Sequence, residues 1–419
     1  MKTLAQIEPR APISTLPFSV TVPGSYYLTT NLTGARGTNG VVIQADDVTV
    51  DLNGFSLIGS PGALNGITVS DARRNVRISN GSIRNWTVGI EATNSAQSSL
   101  ELLVVSENLG HGILLGPNSV VMKCTSYSNQ GDGINADREA TVKDCTARGN
   151  FLNGIKLGTG SEVRACLASF NSEHGIAVEK YCVVSDCTVL SNTRVGLAAG
   201  EGCQISAVSA SHNREVGIVL GANSVVNNSF ATLNSWSGLV GGDSCRITET
   251  STTFNGQNGI ASGAESQMNN CVASQNQDHG LVAGAGSHVL QSKANGNRKV
   301  GIRAENGSTV QGCTSQRNGA DGILVSSDCT VAANHCTYNF NARDAAGIHA
   351  TGTDNCIKEN HVVSNDRGLS VEIAGNIIFK NTAANNTINY LILGSQTIGP
   401  VVKGTAPIEV TNPWTNFEF

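Results

Sequence analysis

The sequence predicts an all-β fold: a parallel β-solenoid of about 21-residue coils with N- and C-terminal caps. Three observations predict it. Gly followed by Ile or Leu recurs every 21 residues, from Gly112 through Gly133 and Gly154 to Gly322 without a slip. An unbroken Asn column lies four residues ahead of it, from Asn108 and Asn129 to Asn318 and Asn339. The apolar runs between them, as in GIKLG or SEVRAC, are two to four residues long and alternate, a strand period rather than a helical one.

A unit of this length is too short for a helix pair or a propeller blade. Short strands repeated in fixed register can close their backbone hydrogen bonds only onto the next copy, so the laps stack. Stacked Asn amides about 4.8 Å apart can hydrogen-bond along the column and tolerate a left-handed turn. The Gly column is expected to supply positive φ where the chain turns into the next strand. Nine residues after the Gly comes a column of Val121, Val142, Val163, Val184 and their successors, flanked by small residues such as Ala147 and Ala168. A narrow interior of this kind needs small and β-branched side chains and leaves little room for rings, in line with an aromatic content of 5%.

Ten of the 12 Cys sit in two of these columns, twelve residues after the Gly (Cys124, Cys145, Cys166, Cys187, Cys271, Cys313) or seven after it (Cys182, Cys203, Cys245, Cys329). They read as buried free thiols, small apolar filler, and not as disulfides. No CxxC or Cys/His spacing argues for zinc, so neither metal nor cofactor is expected.

Composition excludes several function classes. Lys+Arg number 27 against 32 Asp+Glu, a net charge of −5, which argues against a nucleic-acid partner. No apolar run approaches a membrane span. The opening MKTLAQIEPR has no apolar stretch and reads as lacking a signal peptide, so the protein stays inside the cell or a leader has been removed. Residues 1–40, with Pro12, Pro17 and Pro23, read as an N-terminal cap. Residues 41–390 read as the solenoid and 391–419 as a C-terminal capping tail. Trp414, Phe417 and Phe419 of that tail could pack on the last coil or on a second subunit, giving a homo-oligomer.

The N-x-x-x-G-[IL] coil resembles the right-handed parallel β-helix of the pectate-lyase-like superfamily, in its NosD-type repeat branch, over residues 40–390. The resemblance implies a single-stranded right-handed parallel β-helix, a glycan partner, and a secreted or cell-surface location. The DPH of mannuronan epimerases, the WIDH of pectate lyases and the paired aspartates of polygalacturonases do not occur in this sequence.

Outward positions of adjacent laps lie about 5 Å apart, so sequence columns become surface stripes. One expected stripe holds Asp132, Asp137, Lys156, His174 and Glu179, the candidate catalytic set. Two of its carboxylates could reach the separation of an inverting glycosidase pair, and Lys156 or His174 could act as a base on a uronic acid. A second set, Arg303, Glu305, Asp321, Arg343 and His349, gathers where the spacing slips in FNARDAA, and its basic groups could hold an acidic polysaccharide. For each set a solvated surface with opposite charges on adjacent laps is the favoured reading over a site. Tyr127, Phe170, Trp236 and Phe254 read as outward rings that could stack on sugars or cover turn backbone. Two functions follow: a glycan-associated protein that binds or cleaves an acidic polysaccharide along its lateral face, which the resemblance favours and which is placed first, or a non-catalytic structural or adhesive rod of the cell surface or envelope, which ten coils without an insertion favour.

Overall fold

Every regular element is a strand, most of them three residues long, as the alternating triplets between turn signals require. The computed structural model describes residues 9–340, 344–404 and 411–419. The chain forms two compact units, Met1–Gln204 and Ile205–Phe419.

In the first unit, Ile113–Leu115 pairs in parallel with Ile134–Ala136, which pairs with Ile155–Leu157, then Ile176–Val178, then Leu197–Ala199. The register puts like on like: Ile113, Ile134, Ile155, Ile176 and Leu197 form one fully buried column. Val121, Val142, Val163 and Val184 form a second, and Ser126, Ala147, Ala168 and Val189 a third. Burial of these branched side chains drives each lap onto the next.

Three corners close each lap, and each follows one rule. A residue at positive φ is followed by a side chain that points inward, polar at most corners and apolar at Ala140 and Val208. Asn118 (φ 58°), Lys123 (51°) and Ser128 (55°) precede Ser119, Cys124 and Asn129. The ladder Asn is therefore not itself in the left-handed conformation; its predecessor is. Nor does the Gly column supply positive φ, contrary to the sequence expectation. A Cβ on Gly133 would stand 2.5 Å from the Asn150 side-chain nitrogen and 2.7 Å from the Gly154 carbonyl. The column is glycine because two laps and a ladder Asn approach too closely for any side chain.

The thiols are buried and free as expected, eleven fully and Cys356 partly. Their role is more polar than filler. The Cys124 N–H donates to Cys145 Sγ (3.4 Å), and Cys145 Sγ donates to the Lys143 carbonyl (3.2 Å). In the second unit, Ser, Thr and Asn do the same job in the same column: Cys271 N–H donates to Ser292 Oγ (3.1 Å) and Cys313 N–H to Asn334 Oδ1 (2.9 Å). The core also holds a large ring deep in its interior. Trp86 is fully buried with its indole N–H on the Leu57 carbonyl (3.1 Å). Gly34, Gly40, Gly59 and Gly66 clear the space it fills.

The second unit repeats this plan from Ile218–Leu220 to Ile388–Ile392, with Ile218, Leu239, Ile260, Leu281, Ile302, Ile323, Ile348 and Leu369 as its buried column. The period slips once: the ladder step from Asn339 to Asn365 spans 26 residues. At the end, Asn416–Glu418 pairs with Thr382–Ala384, and Asn416 Oδ1 accepts the last ladder hydrogen bonds from Asn381. Trp414 packs edge-on against Phe379, with ring centroids 4.8 Å apart. No helix among the described residues is long and apolar enough to cross a membrane.

Candidate functional site

The two residue sets predicted from sequence lie in different units. In the first unit, Asp137, Lys156 and Glu179 are exposed and line a shallow depression of about 280 Å³ with Asn135. They come from three successive laps, because Asn135 pairs with Lys156 and each lap advances one strand spacing. Among the described residues Lys156 forms no ion pair, and Glu179 accepts a hydrogen bond from Thr159 Oγ1 (3.0 Å).

Asp132 departs from the expectation of an outer-face carboxylate: it is only 2% exposed. Its Oδ1 accepts from the backbone and side-chain N–H groups of Asn153 (2.9 and 2.8 Å), and its Oδ2 accepts from Asn135 (2.7 Å). His111 Nδ1 lies 3.4 Å from Oδ2. Burial works against the charge, but the hydrogen bonds from His111, Asn153 and Asn135 outweigh it and hold the pKa below the usual carboxylate value. Asp132 is thus an ionised brace between laps. His174, half-buried one lap beyond Asn153, takes its place in the same column by donating its backbone N–H to Asn153 Oδ1 (3.3 Å).

In the second unit the predicted set is partly assembled. His349 Nδ1 meets Asp321 Oδ2 at 3.0 Å, and its Nε2 meets Glu372 Oε1 at 3.0 Å. Asp321 Oδ1 also accepts the Ala346 N–H (2.7 Å), which fixes the chain just after the slip in period. Burial opposes charge on His349, but the hydrogen bonds and charges of Asp321 and Glu372 prevail and raise its pKa. Arg303 shares the outward column with His349, but Leu324 stands between them. Arg303 instead faces Glu305 at 3.9 Å. Arg343 lies outside the described residues. Glu372 and Arg367, which pairs with Asp344, belong to this cluster and were not singled out in the sequence.

A further surface depression was also missed. Arg317, Asn318, Gly319, Tyr338 and Phe340 line an open depression of about 470 Å³ in the second unit. Arg317 (φ 51°) and Tyr338 (φ 54°) occupy the same corner on successive laps, joined by Arg317 N–H to the Thr337 carbonyl (3.1 Å). Positive φ at that corner turns the side chain outward while the next residue, Asn318 or Asn339, turns in. Phe340 is set by its N–H on the Asn318 carbonyl (3.2 Å). The Tyr338 and Phe340 rings stand 6.3 Å apart, tilted by 49°, and are 49% and 47% exposed. The signal was present: the residue before each ladder Asn is always the outward corner. The same corner carries Leu233 and Phe254 in this unit, and Phe170 under the Arg148 guanidinium (5.1 Å) in the first. Among the described residues, no group of three or more His, Cys, Asp or Glu is placed to hold a metal.

A family model described as the right-handed beta helix region matches residues 22–172 and 235–397, well over half of the chain. The chain belongs to the right-handed β-helix family. The hand of the solenoid is thereby settled at the level of fold. No curated protein sequence matches significantly. Among solved structures, the chain is similar to the A-module of an Azotobacter vinelandii mannuronan C-5 epimerase (11% identity, 84% of this chain and 90% of that one, TM-score 0.33). It is also similar to a periplasmic alginate epimerase (11%, 84% and 79%, TM-score 0.38) and to the catalytic domain of an α-1,3-glucanase in complex with tetrasaccharides (11%, 71% and 59%, TM-score 0.29).

Proposed function

We propose that this β-helix protein binds glycans that carry carboxylates, and that the depression of Arg317, Tyr338 and Phe340 is the contact. The observation that carries the reading is two exposed, mutually tilted rings beside an exposed arginine on a rigid scaffold. Aromatic faces pack against the C–H face of a pyranose ring. A guanidinium grips a carboxylate through two parallel N–H donors. A groove of this size takes one or two sugar rings, and flanking outward residues of neighbouring laps extend it along the strand stack. Arg298, exposed on the adjoining lap, adds positive charge that would draw an acidic chain in.

The reading is one of binding, not of bond cleavage. Asp132 is sealed and braced, and His349 is already committed at both ring nitrogens. The depression of Asp137, Lys156 and Glu179 holds mixed charge that suits a hydrogen-bonded sugar contact but orders no acid and base about a shared point.

The test is a binding screen of uronic-acid and neutral oligosaccharides, read by microscale thermophoresis and repeated at high salt. Uronate binding that weakens with salt supports the proposal. Equal affinity for neutral chains, or none for either class, overturns it. Formation of unsaturated or new reducing ends in the same samples would replace binding by catalysis.

A further inference from the structure

A pair of histidines lies on the outer face of the second unit, one of them on the strand that leads into the Tyr338 corner. His335 and His361 are register partners on adjacent parallel strands, His335–Thr337 and His361–Val363. Their side chains project outward between Thr314 and Thr382, the next residues in the column. Nδ1 of His335 lies 3.1 Å from Nδ1 of His361, and the ring centroids are 5.0 Å apart with a 40° tilt. His335 is half-buried and His361 exposed. Their backbones are held by the strand ladder and by the Asn334–Asn360 side-chain hydrogen bond (3.0 Å) directly beside them.

We propose that His335 and His361 form a two-imidazole clamp for a divalent transition-metal ion, of the Cu²⁺, Ni²⁺ and Zn²⁺ class. Imidazole nitrogen is the preferred donor of these ions, with bonds of about 2.0–2.1 Å. Two such bonds put the nitrogens about 2.9 Å apart at a right angle and about 3.3 Å apart at the tetrahedral angle. The 3.1 Å separation lies between these limits, so the ion enters without backbone movement. In the free protein one Nδ1 must carry the hydrogen that faces the other. On binding, that hydrogen moves to Nε2, which faces solvent, and both Nδ1 lone pairs turn to the metal. No third protein donor completes the shell among the described residues. Water fills the remaining positions, which makes the site exchangeable and selects Cu²⁺ over Zn²⁺ by the ordinary affinity order.

The experiment is calorimetric titration of Cu²⁺, Ni²⁺ and Zn²⁺ into the full chain at slightly alkaline pH, with His335→Gln, His361→Gln, their double variant, and His288→Gln as a control elsewhere on the surface. Circular dichroism melts check that each variant is folded. The proposal expects one saturable site, weakened roughly tenfold or more in either single variant and unchanged in the control. Electron paramagnetic resonance of the Cu²⁺ form should show two nitrogen ligands in the wild type and one in each single variant. Uptake by the double variant equal to the wild type, no saturable uptake at all, or a nitrogen count unmoved by the single variants each overturns it.

Discussion

The side-chain oxygen of Asn276 takes two hydrogens from Asn255, one from its backbone N–H at 3.1 Å and one from its side-chain amide at 3.0 Å. Asn276 then passes its own amide to Asn297 Oδ1 at 2.9 Å and to the Thr252 carbonyl at 3.3 Å. Each ladder Asn thus satisfies the corner backbone of one lap while fixing the next, in a place water does not reach. Replacing Asn276 by Ala leaves both hydrogens of Asn255 without that acceptor. Denaturant unfolding should show a loss of about 3 kcal/mol or more, since each orphaned buried polar group costs about 1–3 kcal/mol.

Two glycines separate the two roles that sequence reading merged. Gly175 has the Asn192 side-chain nitrogen 2.6 Å and the Gly196 carbonyl 2.7 Å from where a Cβ would stand. Gly149 sits at φ +62° with nothing within 4 Å. Gly175→Ala should cost about 2–3 kcal/mol through overpacking. Gly149→Ala should cost about 1 kcal/mol, the left-handed strain alone. Parallel melts of the two variants give the comparison.

The thiol columns make a chemical prediction. Burial pushes the Cys271 thiol up to about 11, against the pull of backbone hydrogen bonds. A thiol reagent should modify native protein slowly, starting with Cys356, and reach all 12 groups only in denaturant. Cys271→Ser should cost less than about 1 kcal/mol, because Ser292 already fills this column one lap on. Cys271→Val should cost more, because it removes the Sγ donor to the Ile247 and Asn269 carbonyls.

His349 gives a pH dependence with a definite sign. Its folded pKa is raised, so the stability it adds is full below the ordinary histidine pKa and fades as pH rises through the raised value. Ring-proton titration by NMR should place its midpoint above the ordinary histidine value. Asp321→Asn should lower that midpoint more than Glu372→Gln, since the Asp321 side chain is 14% exposed and that of Glu372 47%.

The fold was legible because stacking copies every positional demand once per lap: Gly133 and Asn150 announce themselves by recurrence. What lay beyond reach was which demand each column met. Recurrence cannot distinguish a glycine that bends the chain from one that makes room, nor a thiol that fills space from one that accepts a hydrogen bond. Asp132 was read as outward because it was placed in one charged stripe with Asp137, Lys156, His174 and Glu179. The column in fact holds the next lap's backbone N–H. The Arg317–Tyr338–Phe340 depression escaped for the opposite reason. Its corner recurs on every lap, but Arg317, Tyr338 and Phe340 come together only where the period slips, and recurrence does not mark that combination.

The central functional claim is that the rings and guanidinium of this corner grip a uronate chain. Its most direct measurement is the affinity of one acidic oligosaccharide for the wild type, Arg317→Ala, Tyr338→Ala and Lys156→Ala, all confirmed folded. The account predicts a loss of roughly tenfold in each of the first two, from a lost charge-assisted hydrogen bond or a lost stacking face of about 1.5 kcal/mol, and little change in the third. Affinity that survives both Arg317→Ala and Tyr338→Ala would contradict it.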